Sequence, residues 1–129
     1  QIDFFEESLM QQITREEKTI YPLRKPWLGK LVRILDNEFE QNHSLKALSE
    51  RVCVHPTYMS RVFKEYFGVT IGQYQVTKKI ESATQKLFIE KTSIAQIALD
   101  CGFFDESHFN KTFKSCHQIT PHQFRLLLK

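Results

Sequence analysis

Two segments about fifty residues apart each carry several side chains that form hydrogen bonds and ion pairs. The first segment carries Thr57, Tyr58, Ser60, Arg61 and Lys64, and the second carries Glu106, Ser107, Asn110, Lys111 and Lys114. Arginine, lysine and asparagine are residue types that pair with base edges and phosphates in nucleic-acid complexes. The chemistry that these segments suggest is therefore non-covalent recognition of a polar, anionic surface.

The distribution of charge is compatible with such a partner. The 129-residue chain has a net charge of +3, but residues 44–129 carry 12 Lys/Arg against 7 Asp/Glu. Residues 1–43 carry 6 against 8. A basic segment attracts polyanions, although many solvated helical surfaces are equally basic. The charge balance therefore permits a nucleic-acid partner without selecting it.

Catalysis and metal binding find little support in the sequence. It contains no glycine-rich phosphate loop and no serine or cysteine arranged for nucleophilic attack. Cys53, Cys101 and Cys116 are spaced too widely for a disulfide framework or a zinc site. We therefore expect no enzyme, no metal and no cofactor. No apolar run approaches the roughly 20 residues that span a bilayer, so we expect a cytoplasmic protein without a membrane partner.

Helical periodicity and capping signals predict an all-α fold. Apolar residues recur at helical spacing in seven segments that follow a proline-containing break before Trp27. The first helix is predicted to end near Asn42, Ser44 is the expected N-cap of the second, and Pro56 suits the first turn of the third. Thr70, Ser93 and Thr120 are each followed by glutamine three residues later, which is a capping-box pattern. No segment shows the alternation of a β-strand.

The sequence also repeats itself at an offset of 49 residues upstream and 50 downstream, so one residue is inserted in the second copy. The matching pairs are Leu45/Ile94, Leu48/Ile97, Ser49/Ala98, Val54/Phe103, Phe63/Phe113, Lys64/Lys114, Thr70/Thr120, Gln73/Gln123 and Tyr74/Phe124. Each copy is a short helix, a tight turn and a second helix. This is the layout of a helix-turn-helix, whose second helix can enter a major groove.

The repeat divides the chain into four parts. Residues 26–68 form a first helix-turn-helix subdomain, 69–91 a long connecting helix, and 92–129 a second helix-turn-helix subdomain. Residues 1–25 carry an amphipathic pattern at Ile2, Phe5, Leu9 and Ile13. That N-terminal helix could pack on the rest of the chain, or it could be a linker or dimerisation helix that follows an upstream control domain.

Residues 44–125 resemble the DNA-binding domain of AraC/XylS-type bacterial transcription regulators. The most specific matches are Ile94-Ala95-Gln96-Ile97-Ala98, Gly102-Phe103, Ser107-His108-Phe109, Phe113-Lys114, Thr120-Pro121 and Arg125. Two positions depart from the family pattern, because Cys53 and Gln118 stand where glycine is usual. Either departure could alter its turn locally without undermining the assignment.

The resemblance implies a transcription regulator, with activation as the usual role, that binds specific sites in double-stranded DNA. Two recognition helices, at about 56–67 and 106–116, would enter successive major-groove segments. RNA polymerase is an implied partner, and an upstream sensor or receiver region could supply a homodimer contact. The alternative is a helical module that binds protein through the same exposed residues.

Family positions that contact bases fall on Thr57, Ser60 and Arg61 in the first unit. Arg61 is the best candidate for bidentate pairing with a guanine. Thr57 and Ser60 are short enough to contact a base edge, a thymine methyl or a phosphate. The simpler interpretation of Arg61 is a surface ion pair with Glu65, four residues later.

In the second unit the equivalent exposed positions include Ser107, Asn110 and Lys111. Asn110 can form paired hydrogen bonds with adenine, and Lys111 can reach guanine or a phosphate. Glu106 could accept from a cytosine amino group, but the simpler interpretation is an acidic residue that favours the first turn of a helix. Phosphate or structural contacts are expected from Lys64, Lys114, Thr70 and Thr120.

Overall fold

Seven helices and no strand make up residues 25–89 and 91–128, the part of the chain that the computed structural model describes. The helices are α1 (Pro26–Asn37), α2 (Leu45–Val52), α3 (Pro56–Phe67), α4 (Ile71–Ile89), α5 (Ile94–Asp100), α6 (Glu106–His117) and α7 (Pro121–Leu127). The all-α prediction is confirmed. The predicted N-terminal helix lies outside the described residues. None of the described helices has both the length and the apolarity to cross a membrane.

Side-chain caps start the helices where the sequence predicts them. At Thr70 and Thr120 the hydroxyl oxygen accepts the backbone N–H three residues later at 3.1 Å, and the glutamine there accepts the threonine N–H at 2.9 Å. Ser93 also caps α5, but its capping box is not closed. The Gln96 side chain donates instead to Asp100, 2.8 Å away.

The first helix ends at Asn37, earlier than the sequence predicts. Beyond it the chain turns, because the Glu38 carbonyl accepts the Gln41 N–H at 3.1 Å. The His43 ring Nε2 lies 3.2 Å from the same carbonyl oxygen. The backbone at Glu38 has already left the helical region, at φ −121° and ψ 33°, and its carbonyl accepts this turn hydrogen bond.

The buried side chains form two clusters on successive parts of α4. The first cluster combines α1, α2, α3 and the first turns of α4, and the second combines the later turns of α4 with α5 and α6. α7 packs on α4 and α6. Phe63 and Phe113, which the repeat pairs with each other, are fully buried in the first and second cluster respectively. Each helix-turn-helix unit therefore has its own core.

The two tight turns use the same corner hydrogen bond. The Val54 N–H donates to the Ser49 carbonyl at 3.2 Å, and the Phe103 N–H donates to the Ala98 carbonyl at 3.0 Å. The repeat pairs both donors and both acceptors at the offset of 49. The inserted residue therefore follows this corner, and it is Phe104, whose side chain is 85% exposed.

Left-handed backbone occurs at the two positions where the family pattern has glycine. Cys53 has φ 59° and Gln118 has φ 67°, and each follows the last residue of a helix. The matching positions of the other copy, Gly102 and Gly68, have φ 89° and 75°. The departures in sequence therefore leave the backbone of both turns in the conformation that glycine prefers.

Replacing Gln118 with glycine should raise the free energy of unfolding by about 1 kcal/mol, because a Cβ in the left-handed region costs about 1–2 kcal/mol. Urea denaturation of the chain without DNA measures the change. Gln118→Ala is the matched control, since it removes the same exposed polar group but keeps the Cβ. A glycine variant no more stable than the alanine variant would show that this backbone position carries no strain.

Candidate nucleic-acid interface

The first recognition helix, α3, buries one face and exposes the residues predicted to contact DNA. Met59, Val62 and Phe63 are buried in the first cluster. Thr57, Arg61 and Lys64 are exposed, and Ser60 is half-buried at the border between the two faces. This division follows the helical period of 3.6 residues.

The start of α3 is fixed by His55, which the sequence analysis missed. Its ring Nδ1 accepts the Thr57 N–H at 3.2 Å, so the imidazole acts as the N-cap. Serine, threonine, aspartate and asparagine are the usual N-cap residues, so nothing in the sequence identified a histidine in this role. Pro56 at the first helical position was the signal that located the helix.

Arg61 forms the ion pair that was its alternative interpretation. Its Nη1 lies 3.1 Å from Glu65 Oε1, and both side chains are 59% exposed. The guanidinium carbon is also 5.3 Å from the centre of the Tyr58 ring. An exposed pair of this kind contributes about 0–1 kcal/mol. The guanidinium can therefore exchange Glu65 for a base edge or a phosphate at little cost.

Tyr58 is the predicted contact residue with the most partners inside the described protein. Its ring lies 5.7 Å from the ring of Trp27, and Lys25 Nζ donates to its hydroxyl at 3.3 Å. These contacts attach α3 to the start of α1. They leave the Tyr58 side chain 36% exposed, and its contact with DNA remains a prediction.

An open groove of about 720 Å³ joins α3 to the N-terminus of α4. Four of the predicted residues line it together, namely Ser60, Arg61, Lys64 and Thr70. Leu45, at the start of α2, also lines the groove and is 45% exposed. The groove places a base-pairing candidate and two phosphate candidates on one continuous surface.

The second recognition helix, α6, follows the same pattern. Phe109, Phe113 and Cys116 are buried. The predicted residues on the other side are exposed except for half-buried Asn110: they are Glu106, Ser107, Asn110, Lys111 and Lys114. The two recognition helices thus present polar faces at equivalent positions of the repeat.

The N-terminus of α6 carries two acidic residues with different environments. Asp105 Oδ1 accepts the His108 N–H at 2.7 Å and caps the helix. Glu106 lies in the first turn and is exposed. An acidic side chain at this end interacts favourably with the helix dipole. This placement agrees with the simpler interpretation of Glu106, and pairing with a cytosine remains a prediction.

A second open groove, of about 410 Å³, runs between α6 and Val76 of α4. Among the predicted residues it contains Lys111. Thr120 is half-buried at the start of α7, where its hydroxyl belongs to the capping box. The second unit therefore spreads its predicted residues along α6 and the start of α7, whereas the first unit gathers four of them in one groove.

The three cysteines are free thiols. Cys101 and Cys116 are buried, and Cys53 is exposed in its turn. Burial raises the pKa of Cys116 to about 11, so this thiol is protonated at neutral pH. Within residues 25–89 and 91–128, no three His, Cys, Asp or Glu side chains are grouped to hold a metal ion.

Two helix-turn-helix units with exposed polar recognition helices define a helix-turn-helix DNA-binding domain. The family profile described as a helix-turn-helix domain matches residues 48–126. The structure is similar to an AraC-type DNA-binding domain regulator from Chromobacterium violaceum, with 30% identity, a TM-score of 0.72, and coverage of 81% of this chain and 94% of that one. The chain belongs to the AraC/XylS family of DNA-binding domains.

Two further comparisons show similarity in sequence and in fold. It is 30% identical over 96 residues to the HTH-type transcriptional activator RhaS of Mannheimia succiniciproducens, covering 74% of this chain and 36% of that protein. The DNA-binding domain of AdpA, solved with a target DNA, shares the fold at 19% identity with a TM-score of 0.74, covering 78% and 90% of the two chains. The chain spans 30–43% of the length of three other regulators that it matches.

Proposed function

We propose that this chain binds specific sites in double-stranded DNA by inserting α3 and α6 into successive major-groove segments. The observation that carries the proposal is the equivalence of the two units. Each recognition helix is braced by the helix before it and presents hydroxyl and basic side chains on the face away from its core. The second helix adds the amide of Asn110. A chain of this kind reads an asymmetric site composed of two boxes about one helical turn apart.

The residues divide into those that read bases and those that hold the backbone. Arg61 pairs with a guanine in the first box, and Asn110 pairs with an adenine in the second. The remaining contacts are shared between base edges and phosphates by Thr57, Tyr58, Ser60, Lys64, Thr70, Glu106, Ser107, Lys111, Lys114 and Thr120. Thr70 accepts one hydrogen bond within its capping box, and that bond leaves the hydroxyl proton to donate to a phosphate.

The regulatory role in this proposal is activation. The Mannheimia relative is named a transcriptional activator, which supports activation as the role of this chain as well. RNA polymerase is then the second partner, and a homodimer formed through a region upstream of α1 would bring two such domains to one promoter. In vitro selection from random duplexes with this chain would supply a binding site, called the selected site below. A reporter gene with the selected site upstream of a weak promoter distinguishes activation, which raises expression, from repression, which lowers it.

The dependence of DNA affinity on salt tests the class of partner. Fluorescence anisotropy with a labelled duplex between 50 and 200 mM NaCl should show log Kobs falling by about 0.9 for each phosphate contact per tenfold change in salt. Several basic side chains on each unit predict a steep slope. A slope near zero, or no binding to the duplex, would favour the alternative of a helical protein-binding module.

Arg61→Ala and Lys114→Ala should have different effects on binding. The first should remove preference at one base pair of the first box, a discrimination of about 1–3 kcal/mol. The second should weaken binding to all sequences alike and reduce the salt slope by about 1. Competition binding against single-base variants of the selected site measures both effects.

Arg33→Ala is the matched control for Arg61→Ala, because Arg33 is an exposed arginine of α1 that lies outside both recognition helices. It should leave both base preference and the salt slope close to those of the wild-type chain. If Arg61→Ala retained the base preference of the wild type, the role proposed for α3 would be wrong.

A further inference from the structure

The orientation of the two units depends on a long helix that joins them. α4 contains 19 residues and is therefore about 28 Å long. Tyr74 is its last residue in the first cluster, and Ile80 is its first fully buried residue in the second. A small bend between these positions would move α6 relative to α3. A contact that crosses between the units is needed to hold them in one register.

Lys79 makes such a contact from the middle of α4. Its side chain is buried, with only 9% exposure. Its Nζ donates to Asn42 Oδ1 in the loop after α1 and, at 3.3 Å, to the Gly102 carbonyl in the turn before α6. The same Nζ lies 6.0 Å from the centre of the Phe103 ring. One ammonium group therefore binds both units.

A lysine is a costly choice for this position. Burial lowers the pKa of Lys79 because the charged form loses solvation. Well-packed apolar residues are often as stable as, or more stable than, a buried charge with its partners. Stability alone therefore does not account for Lys79, whereas a role in joining two separate segments of the chain does.

The two segments that Lys79 binds also touch each other. A Cβ atom on Gly102 would lie 2.2 Å from the Glu40 carbonyl oxygen and 2.8 Å from its carbon. The backbone of the loop after α1 thus packs directly on the turn of the second unit. Only a residue without a side chain allows this approach.

The loop after α1 is in turn fixed to the first unit. Both Nη atoms of Arg51, on α2, donate to the Glu38 carboxylate at 2.8 and 2.9 Å. This bidentate pair holds the pKa of Glu38 below its usual value. The loop therefore moves with α2, and a contact between the loop and Gly102 is a contact between the two helix-turn-helix units.

We propose that Lys79, through Asn42 and Gly102, fixes the angle between the two units and thereby the spacing between DNA boxes that the chain accepts. The inference rests on the proposed two-box function. Lys79 is a positioning residue, since it acts through the two segments that it joins. With the contact intact, an altered spacing must strain protein or DNA. Without it, α4 can bend and the units can follow boxes at other spacings.

The test compares affinity for duplexes in which the two selected boxes are moved by one or two base pairs. Each base pair rotates a box by about 34° around the duplex, given about 10.5 base pairs per turn. We expect the wild-type chain to lose at least about tenfold in affinity for a two-base-pair change, because about 1.4 kcal/mol of strain suffices for that factor. Lys79→Met and Asn42→Ala should both reduce this loss to within about threefold, while affinity for a single box is unchanged.

Two further variants, and the exposure of Asn42, keep the result interpretable. Lys79→Arg retains donors for both partners and should restore the spacing preference. Lys78→Met is the matched control, because Lys78 pairs with Asp36 of the first unit at 3.4 Å and should leave the preference unchanged. Asn42 is exposed, so Asn42→Ala opens no cavity and decides the question even if Lys79→Met folds poorly by circular dichroism.

The proposal is overturned if folded Asn42→Ala and Lys79→Met retain the spacing preference of the wild type. It is also overturned if Lys78→Met relaxes that preference as strongly as Lys79→Met does, because the effect would then come from the loss of any positive charge on α4 and not from the loss of the Lys79 contact. A wild-type chain that never selects two boxes would instead refute the proposed function itself. The single-box affinities separate these two failures.

Discussion

Replacing Phe113 with alanine should lower the free energy of unfolding by about 3–5 kcal/mol. The side chain is fully buried, and its ring centre lies 5.7 Å from those of Phe109 and Phe124 and 4.5 Å from that of His117. It therefore joins α6 to α7, and its removal leaves a large cavity in the second cluster. Urea denaturation followed by circular dichroism measures the loss.

Phe104→Ala is the matched control, because it removes the same side chain from the same unit where that side chain is 85% exposed. It should change the free energy of unfolding by no more than about 0.5 kcal/mol. Equal losses for the two variants would contradict the assignment of Phe113 to a separate core. We also expect Phe113→Ala to weaken binding to the second box more than to the first.

Gly102→Ala should lower the free energy of unfolding by at least about 2 kcal/mol. The left-handed backbone alone costs an alanine about 1–2 kcal/mol, and the added Cβ would overlap the Glu40 carbonyl. Neither group can move easily, because the atom approached belongs to the backbone. The two units must then separate, so the same variant should also relax the spacing preference.

Gly72→Ala is the control for this prediction. A Cβ at Gly72, within α4, would meet only Thr70 Oγ1 at 3.9 Å. Alanine is favoured over glycine in a helix by about 0.5–1 kcal/mol, so this variant should be as stable as the wild type or more stable. The two substitutions are thus expected to have opposite signs, and a shared loss of stability would refute the close contact at Gly102.

Local signals in the sequence account for most of the fold. Capping boxes at Thr70 and Thr120 located α4 and α7, Pro56 located α3, and the repeat related α3 to α6 with their buried phenylalanines. Each capping box depends on residues within one turn of each other, and each copy of the repeat depends on the pattern of its own two short helices. Ser93 is an exception among the capping boxes, because the Gln96 side chain has two possible local partners, the Ser93 N–H and the Asp100 carboxylate. It donates to Asp100, and nothing in the sequence decides between them.

The contact at Lys79 could not be predicted in the same way. Its position lies on the apolar side of α4 between Val76 and Ile80, but lysine is usually exposed, and nothing in the sequence indicates that this one is buried. Its partners are 37 and 23 residues away, and one of them is a backbone carbonyl that carries no sequence signal. The early end of α1 could not be predicted either, because it depends on the loop that contacts Gly102, and this loop begins where the helix ends.

The predicted DNA contacts also divide into features that local signals predict and features that depend on long-range packing. Helical periodicity was sufficient to place Arg61 and Lys111 on exposed surfaces, and the structure agrees. The groove that gathers Arg61 with Thr70 depends on how α3 packs against α4, which the spacing of residues along one helix does not specify. The contacts of Tyr58 with Trp27 and Lys25 could not be predicted from the sequence for the same reason.

Selection from a random pool of 40-base-pair duplexes at moderate salt tests whether one chain reads two DNA boxes. We expect enrichment of two short sequence boxes about one helical turn apart, roughly 10–10.5 base pairs between centres. Both boxes should be read by one chain, and the enriched site should retain its fixed spacing through successive rounds. Retained DNA without enriched sequence, or no retained DNA, would contradict the account of a tandem helix-turn-helix reader.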